Sequence, residues 1–151
     1  MKKILLASIA VAAFCAAPAL AADMPVKAPY APVFNWTGFY LVDPADAGYL
    51  IVGPYAGSFT PNSRFPITRG LCGAAASSGQ VVVVQDVSTD PRYLAGSSMV
   101  KSEIVVPIYV NKKLEAELDI ESYFADTFTK SEQEFVEACA GVVANYLLTK
   151  V

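Results

Sequence analysis

The sequence contains no histidine. This absence excludes a Ser-His-Asp triad, a Cys-His nucleophile pair and every metal site built on imidazole ligands. Cysteine is also scarce, with 3 in 151 residues. Cys15 lies in an apolar N-terminal segment, which leaves Cys72 and Cys139 for the folded part of the chain. Two cysteines do not make a disulfide framework, and we predict neither a metal site nor a cofactor.

Positive charge is in short supply as well. The chain has 11 Lys and Arg against 14 Asp and Glu, a formal net charge of −3. A mildly acidic surface argues against nucleic acid and against anionic membrane as partners. The length suits one domain with its own core.

Residues 1–21 have the pattern of a secretory signal peptide. Lys2 and Lys3 precede an apolar run, and an Ala-Leu-Ala box ends at Ala21. The apolar run is too short to span a membrane. We therefore predict a periplasmic or secreted protein with no stable membrane span after cleavage. The alternative is that the segment is retained as an N-terminal helix.

Residues 22–34 are predicted to form a proline-rich linker. Pro25, Pro29 and Pro32 forbid a helix there and favour extended backbone. The folded domain is then residues 35–151.

The stretch Ser102–Ser122 is predicted to be a β-hairpin with a three-residue turn at 111–113. Its second half alternates strictly between apolar and acidic residues, which therefore take opposite faces of the sheet. Matching the apolar faces sets the register. The predicted pairs are Ile104 with Ile120, Val106 with Leu118, Ile108 with Ala116 and Val110 with Leu114.

The same register places three carboxylates together on the other face. Glu103 lies opposite Glu121, with Asp119 one step along the strand. Like charges directly opposite each other are destabilising, so water, a proton or a cation must relieve them. Two interpretations stay open: a solvated sheet face with ordinary acids, or a receptor for a positively charged group such as a ligand ammonium.

The other elements follow from periodicity and turn residues. Strands are predicted at 35–43, 49–53 and 80–86, the last of them a buried run of valines, and a short helix is predicted over 70–76. Loops are predicted at 57–69 and 88–99, the second with a helical turn near 91–94. A last helix begins at a capping box formed by Thr129 and Glu132. Its predicted core-facing stripe is Phe135, Cys139, Val142, Val143, Tyr146 and Leu147.

The motifs GFYLVD, GP-x-x-G, RGLCG, SEIVVP and LDIES occur here in the order and rough spacing of a known family. Over 35–146 the chain resembles the GAF domain, in its free methionine-R-sulfoxide reductase branch. The resemblance implies an α+β fold with an antiparallel sheet of about five or six strands and flanking helices. The helix that usually precedes the first strand has no counterpart, so we expect an exposed apolar patch on the last helix, which leads either to self-association as a homodimer or to marginal stability.

The resemblance also implies a pocket for free methionine sulfoxide. Trp36 and Tyr40 would line it, and Glu103, Asp119 and Glu121 would hold the amino-acid end of the ligand. Glu121 stands where the family more often has Asp.

The family's cysteines are only partly present. Cys72 matches the cysteine of RGLCG and is the predicted catalytic residue. The other two fall at about Gly96 and among residues 60–62. At a helix N-terminus near Arg69, the Cys72 thiol is expected to have a lowered pKa; the alternative is a small buried residue.

Three functions follow. The first is a binding domain for a small amino-acid-like ligand, with methionine sulfoxide the leading candidate and reductase chemistry impaired by the missing cysteines. The second is an active free methionine-(R)-sulfoxide reductase that uses Cys72 and an external thiol reductant. The third is a fusion product without a selected function, because residues 1–40 resemble the leader of small outer-membrane β-barrel proteins.

Export gives the first testable prediction. Cleavage after Ala21 should leave a mature N-terminus at Ala22, because the signal pattern ends there. Mass spectrometry of the protein expressed in a Gram-negative host measures this directly. An intact Met1 in the cytosolic fraction would contradict it.

Overall fold

A computed structural model describes residues 33–150. The predicted signal peptide, nearly all of the predicted linker and the question of an N-terminal helix lie outside this range. The described strands are β1 (Trp36–Val42), β2 (Tyr49–Ala56), β3 (Arg64–Pro66), β4 (Val82–Val84), β5 (Ser102–Val110) and β6 (Lys113–Ser122). The helices are α1 (Gly70–Ser78) and α2 (Lys130–Leu148), with a short 3-10 turn at Val87–Thr89.

The six strands form a single antiparallel sheet in the order β3-β2-β1-β6-β5-β4. This confirms the predicted α+β class and the predicted number of strands. The β5–β6 hairpin lies near the middle of the sheet, with β1 beside it. Each face of this central region is covered by one helix.

The register of the hairpin is as predicted over most of its length. Glu103 pairs with Glu121, and the apolar pairs from Ile104–Ile120 to Ile108–Ala116 are all present. A bulge then shifts the pairing between Ile108 and Tyr109.

The prediction was wrong at the turn itself. The turn has two residues, Asn111 and Lys112, and Leu114 pairs with Tyr109 instead of Val110. Both turn residues have positive φ, 52° and 64°. A two-residue turn of this kind matches the twist of the strands, and the bulge absorbs the extra residue so that the core register is kept.

The two faces of the sheet support two apolar clusters. The first is formed by alternate residues of β5 and β6 with Phe39, Phe128 and the buried side of α2. The second lies on the acidic face and includes Trp36, Tyr40, Leu71, Cys72, Ala75 and Val105. The acidic face is therefore closed over by α1 and its neighbouring loops.

The core-facing stripe of α2 differs from the predicted one. Val136 and Ala140 are its buried residues, whereas Phe135 and Val142 are 53% and 69% exposed. Cys139 packs against the core at its edge, as do Val143 and Leu147. Apolar residues occupy two adjacent stripes of this helix, so helical periodicity alone did not decide which stripe faces the sheet.

Three smaller predictions also need correction. The segment 57–69 contains the short strand β3, whose Phe65 pairs with Leu50 of β2. The valine run is a three-residue, mostly half-buried strand at the sheet edge. The helical turn expected near 91–94 lies instead at Val87–Thr89, because the Asp86 side chain accepts a hydrogen bond from the Ser88 backbone N–H and starts the turn there.

Among the described residues, no helix is long and apolar enough to cross a membrane.

Candidate functional site

The acidic face of the hairpin gathers four carboxyl groups. Glu117, Asp119 and Glu121 alternate along β6, and Glu103 lies opposite Glu121 on β5. On the other side of β6, strand β1 places Trp36 opposite Glu121 and Tyr40 opposite Glu117. The sequence-predicted site residues on the three central strands are thus brought to one face.

These acids are not on a solvated surface. Glu103 and Asp119 are 5% and 4% exposed, Glu117 is fully buried, and Glu121 is half-buried. Of the two interpretations that the sequence left open, the solvated face is therefore wrong. Residues of α1 and of the 57–69 and 88–99 segments cover the cluster.

Burial raises the pKa of every member of the cluster. Desolvation, followed by repulsion from the neighbouring carboxylates, holds the pKa values of Glu103 and Asp119 well above their usual range. Burial raises the pKa of Glu121 to about 7. It raises the pKa of Glu117 to about 8, against the opposite influence of the Cys72 thiol and the Ala76 backbone.

Few counter-charges reach the cluster. The ion pairs of the described residues are Arg64–Asp43, Arg92–Asp90, Lys113–Glu115 and Lys130–Glu134, and none involves the four acids. Asp119 Oδ1 is buried without a hydrogen-bond partner among these residues. The cluster is therefore rich in acceptors and poor in donors.

Cys72 joins the cluster from the first turn of α1. Its thiol donates to Asp119 Oδ2 at a distance of 3.8 Å. Burial and then the charges of Asp119, Glu117 and Glu103 raise the pKa of the Cys72 thiol well above its usual range. The expected lowering of this pKa is wrong, because the helix N-terminus faces buried carboxylates instead of a cationic environment.

Aromatic side chains form one wall of the site. Trp36 stacks between Tyr40 and Tyr55, with ring centroids 5.8 and 5.4 Å away. Tyr40 meets Phe65 edge to face at 4.9 Å and forms a hydrogen bond with Thr60 Oγ1 at 3.5 Å. Tyr40 and Phe65 line the cavity beside the acids, whereas Trp36 supports Tyr40 by stacking against it.

A small cavity lies at the centre of this arrangement. Its volume is about 20 Å³, enough for one water molecule but not for an amino acid. It is lined by Tyr40, Asn62, Phe65, Arg69, Gly70, Leu71, Cys72, Leu94, Glu103, Asp119 and Glu121. Five of the six predicted site residues line it, and Trp36 supports it from behind.

Two loops close the cavity and are joined by hydrogen bonds. The Asn62 side-chain amide donates to the backbone oxygens of Leu94 and Ala95, at 3.4 and 3.3 Å. Gly96 comes next in the same loop. A Cβ atom placed at Gly96 would lie 3.4 Å from Glu121 Oε1 and 3.7 Å from Asn62 Nδ2. A side chain at position 96 would therefore point into the site.

The sequence interpretation missed Glu117, Asn62, Phe65 and Leu94. The alternation of β6 could have found Glu117, because it shares a face with Asp119 and Glu121. The other three lie in loops, whose approach to the sheet has no periodic signal.

Comparison with known proteins agrees with the fold. A family model described as a GAF domain matches residues 16–147. The chain belongs to the GAF domain family. The match begins inside the predicted signal peptide, ahead of the predicted domain start at 35.

Several GAF relatives are named free methionine-R-sulfoxide reductase. The Saccharomyces cerevisiae protein of that name is 34% identical over 110 residues, which are 72% of this chain and 61% of the relative. The Escherichia coli protein is 31% identical over 115 residues, 76% and 67% of the two chains. A structure of the Neisseria meningitidis reductase in complex with its substrate has a TM-score of 0.70 at 34% identity, covering 74% of this chain and 66% of that one. The chain spans less than two thirds of the length of the first three curated relatives it matches, at 63%, 65% and 61%.

The buried acids give a testable pH dependence. Between about pH 4.5 and pH 8, folded Glu117 keeps a proton that the unfolded chain has released. The free energy of unfolding should therefore fall as pH rises through this window, because the unfolded state binds fewer protons. Each unit of pKa shift corresponds to about 1.4 kcal/mol, so above pH 8 the burial of Glu117 should have lowered the free energy of unfolding by on the order of a few kcal/mol.

Urea unfolding of the wild type, Glu117→Gln and the exposed control Glu134→Gln from pH 4 to pH 9 measures this effect. Glu117→Gln should show a shallower fall and exceed the wild type in stability at pH 8. Parallel pH curves for the wild type and Glu117→Gln would contradict the assignment.

Proposed function

We propose that this GAF domain binds a small amino-acid-like ligand, with free methionine sulfoxide as the leading candidate. The observation that carries the proposal is the buried carboxyl cluster of Glu103, Asp119 and Glu121, to which no cationic side chain of the described residues is paired. A ligand ammonium would supply three donors and one positive charge to these acceptors. Relatives named free methionine-R-sulfoxide reductase support this ligand class.

The aromatic wall suits the other end of such a ligand. Tyr40 and Phe65 offer apolar ring surface beside the acids, and a thioether or sulfoxide side chain packs well against rings. Trp36 holds Tyr40 in place by stacking. The Tyr40 hydroxyl, already close to Thr60 Oγ1, is available as a donor to a sulfoxide oxygen.

Binding requires the site to open. A cavity of about 20 Å³ admits one water molecule, so the 57–69 and 88–99 segments must separate before an amino acid enters. The hydrogen bonds from Asn62 to Leu94 and Ala95 are the contacts to be broken. Both segments are largely irregular, which makes this movement inexpensive relative to opening the sheet.

Reductase chemistry is proposed to be impaired. Reduction of a sulfoxide to a sulfide takes two electrons and two protons; a single thiol becomes a sulfenic acid, and a second thiol must attack that sulfur to release water and form a disulfide. Cys72 is the cysteine at this site, and it is a buried thiol with a raised pKa. Gly96 and Asn62 occupy positions from which a second cysteine would face the acids.

Two alternatives differ in class from the binding domain. An active reductase would use Cys72 and an external thiol reductant that enters when the loops open. A fusion product without a selected function would have neither a ligand nor turnover. Export to the periplasm or medium, proposed from residues 1–21, is compatible with all three.

The first prediction of the proposal concerns binding. Free methionine sulfoxide at 100 times its dissociation constant should add about 2.7 kcal/mol to the stability of the domain. Glu121→Gln should weaken this effect and slightly stabilise the empty domain, because the repulsion that the ligand relieves is partly removed. The measurement is a thermal-shift panel of free amino acids and their oxides in the presence of a chelator.

The matched control is Glu134→Gln, an exposed acid on α2. It should change stability by no more than about 0.5 kcal/mol and leave binding unchanged. If the double variant Asp119→Asn, Glu121→Gln bound the ligand as well as the wild type, the proposal that these carboxylates hold the ligand would be wrong. A panel with no hit at all would favour the fusion product.

The second prediction concerns turnover. Gly96→Cys should raise thiol-dependent reduction of free methionine sulfoxide by at least about tenfold, for which a barrier change of 1.4 kcal/mol suffices. The reason is that its Cβ lies within 4 Å of Glu121, Thr60 and Asn62. Cys72→Ser should abolish any residual turnover of the wild type and leave ligand binding nearly intact.

Cys139→Ser is the control, since Cys139 packs on the other face of the sheet. Wild-type turnover that survives Cys72→Ser would remove the catalytic role of Cys72. Wild-type turnover at the level of Gly96→Cys would favour the active reductase over the binding domain.

Self-association is proposed through α2. Val142 and Leu148 are 69% and 49% exposed on this helix, and burying them in a homodimer would remove apolar area from water. Sedimentation of the wild type and Val142→Glu tests this. A wild type that is monomeric at high concentration would contradict it.

A further inference from the structure

We propose that the acidic pocket is also a zinc site, with Cys72 Sγ and one carboxylate oxygen each from Glu103 and Asp119 as its three protein ligands. This inference does not rest on amino-acid binding, although it uses two of the same carboxylates. The three ligand atoms lie within 4.8 Å of one another, and all three residues are buried. They come from α1, β5 and β6, so the fold itself brings them together.

The distances suit a tetrahedral ion. Zinc bonds of about 2.3 Å to sulfur and 2.0 Å to oxygen place those two ligand atoms about 3.5 Å apart. Cys72 Sγ and Asp119 Oδ2 are already 3.8 Å apart. The Glu103 oxygen lies within 4.8 Å of the other two ligand atoms, so its side chain would have to rotate and bring that oxygen closer by up to about 1.5 Å to complete the triangle.

A second and independent observation points to a cation. Asp119 Oδ1 is buried and accepts no hydrogen bond among the described residues, and Asp119 lines the cavity. Unpaired buried acceptors cost stability, and a divalent ion satisfies several of them at once.

The ligand set selects the metal. Calcium and magnesium require six or more oxygen ligands, whereas one thiolate and two carboxylates suit a borderline-soft ion such as zinc. Zinc commonly takes three protein ligands and one water. The cavity of about 20 Å³ beside Cys72, Glu103 and Asp119 has room for that one water.

Zinc and a ligand ammonium would exclude each other, because both need Glu103 and Asp119. The zinc-loaded pocket would also hold Cys72 as a metal-bound thiolate, unavailable as a reductant.

The test is metal binding by the full chain, freed of metal by a chelator and then dialysed. Zinc should bind in equimolar amount by elemental analysis, and Co²⁺ should give a thiolate-to-metal charge-transfer band. Cys72→Ser should lose that band and weaken zinc binding by at least about tenfold, as should Asp119→Asn. Cys139→Ser is the matched control and should keep both the band and the affinity.

Absence of the Co²⁺ band from the wild type would overturn the proposal. So would equal zinc affinity for the wild type and Cys72→Ser, which would indicate binding to surface carboxylates. Circular dichroism of each variant shows that it is folded. The thermal-shift panel of amino acids is run with a chelator present, so its outcome does not depend on whether the protein binds zinc. Likewise, the zinc and Co²⁺ measurements contain no amino acid, so their outcome does not depend on whether the panel finds a ligand.

Discussion

The pairing of Glu103 with Glu121 across the central hairpin is the constraint on which the site depends. The register that produces this pair is set by the opposite face, where Ile104, Val106 and Ile108 meet Ile120, Leu118 and Ala116. A slip of one residue would bury the acids in the α2 core and expose the aliphatic residues. The apolar face therefore holds the carboxylates together against their own repulsion.

That repulsion has to be offset once α1 covers the acidic face. An unpaired buried charge costs several kcal/mol, so the empty site is stable only if most of its acids hold protons. The raised pKa values of Glu117 and Glu121 show that burial favours the protonated, uncharged form of these acids. A group that brings positive charge into the pocket changes the balance, which links the stability of the domain to what occupies the site. We therefore propose that the pocket responds to cations because it is costly when empty.

Much of this arrangement could be predicted from the sequence, and the failures have physical causes. Apolar and acidic residues alternate strictly in β6, and β5 is mostly apolar, so only one register pairs the apolar residues of the two strands. That register places Glu103 opposite Glu121, which could therefore be predicted from the sequence pattern alone. The turn was wrong because a bulge at Ile108–Tyr109 converts a three-residue connection into a two-residue one without changing the core. Burial of the acids was not predictable, since alternation separates two faces but does not say which face a helix covers. The α2 stripe was wrong for a similar reason: Val136 and Phe135 are neighbours, and only contact with the sheet distinguishes them.

Cys72 shows how position in the fold overrides a local rule. A cysteine in the first turn of a helix, near an arginine, is normally expected to be acidic. Here the helix is short and its first turn is pressed onto a sheet face that carries four carboxyl groups, so desolvation and like charge outweigh the dipole. The loop positions 62 and 96 meet over the same acids, joined by amide hydrogen bonds. In the proposed opening of the site such bonds would re-form each time the loops close, whereas a disulfide between loops would couple opening to redox state. For these reasons we propose that a domain built in this way favours reversible capture of a small cationic group over a committed oxidation cycle.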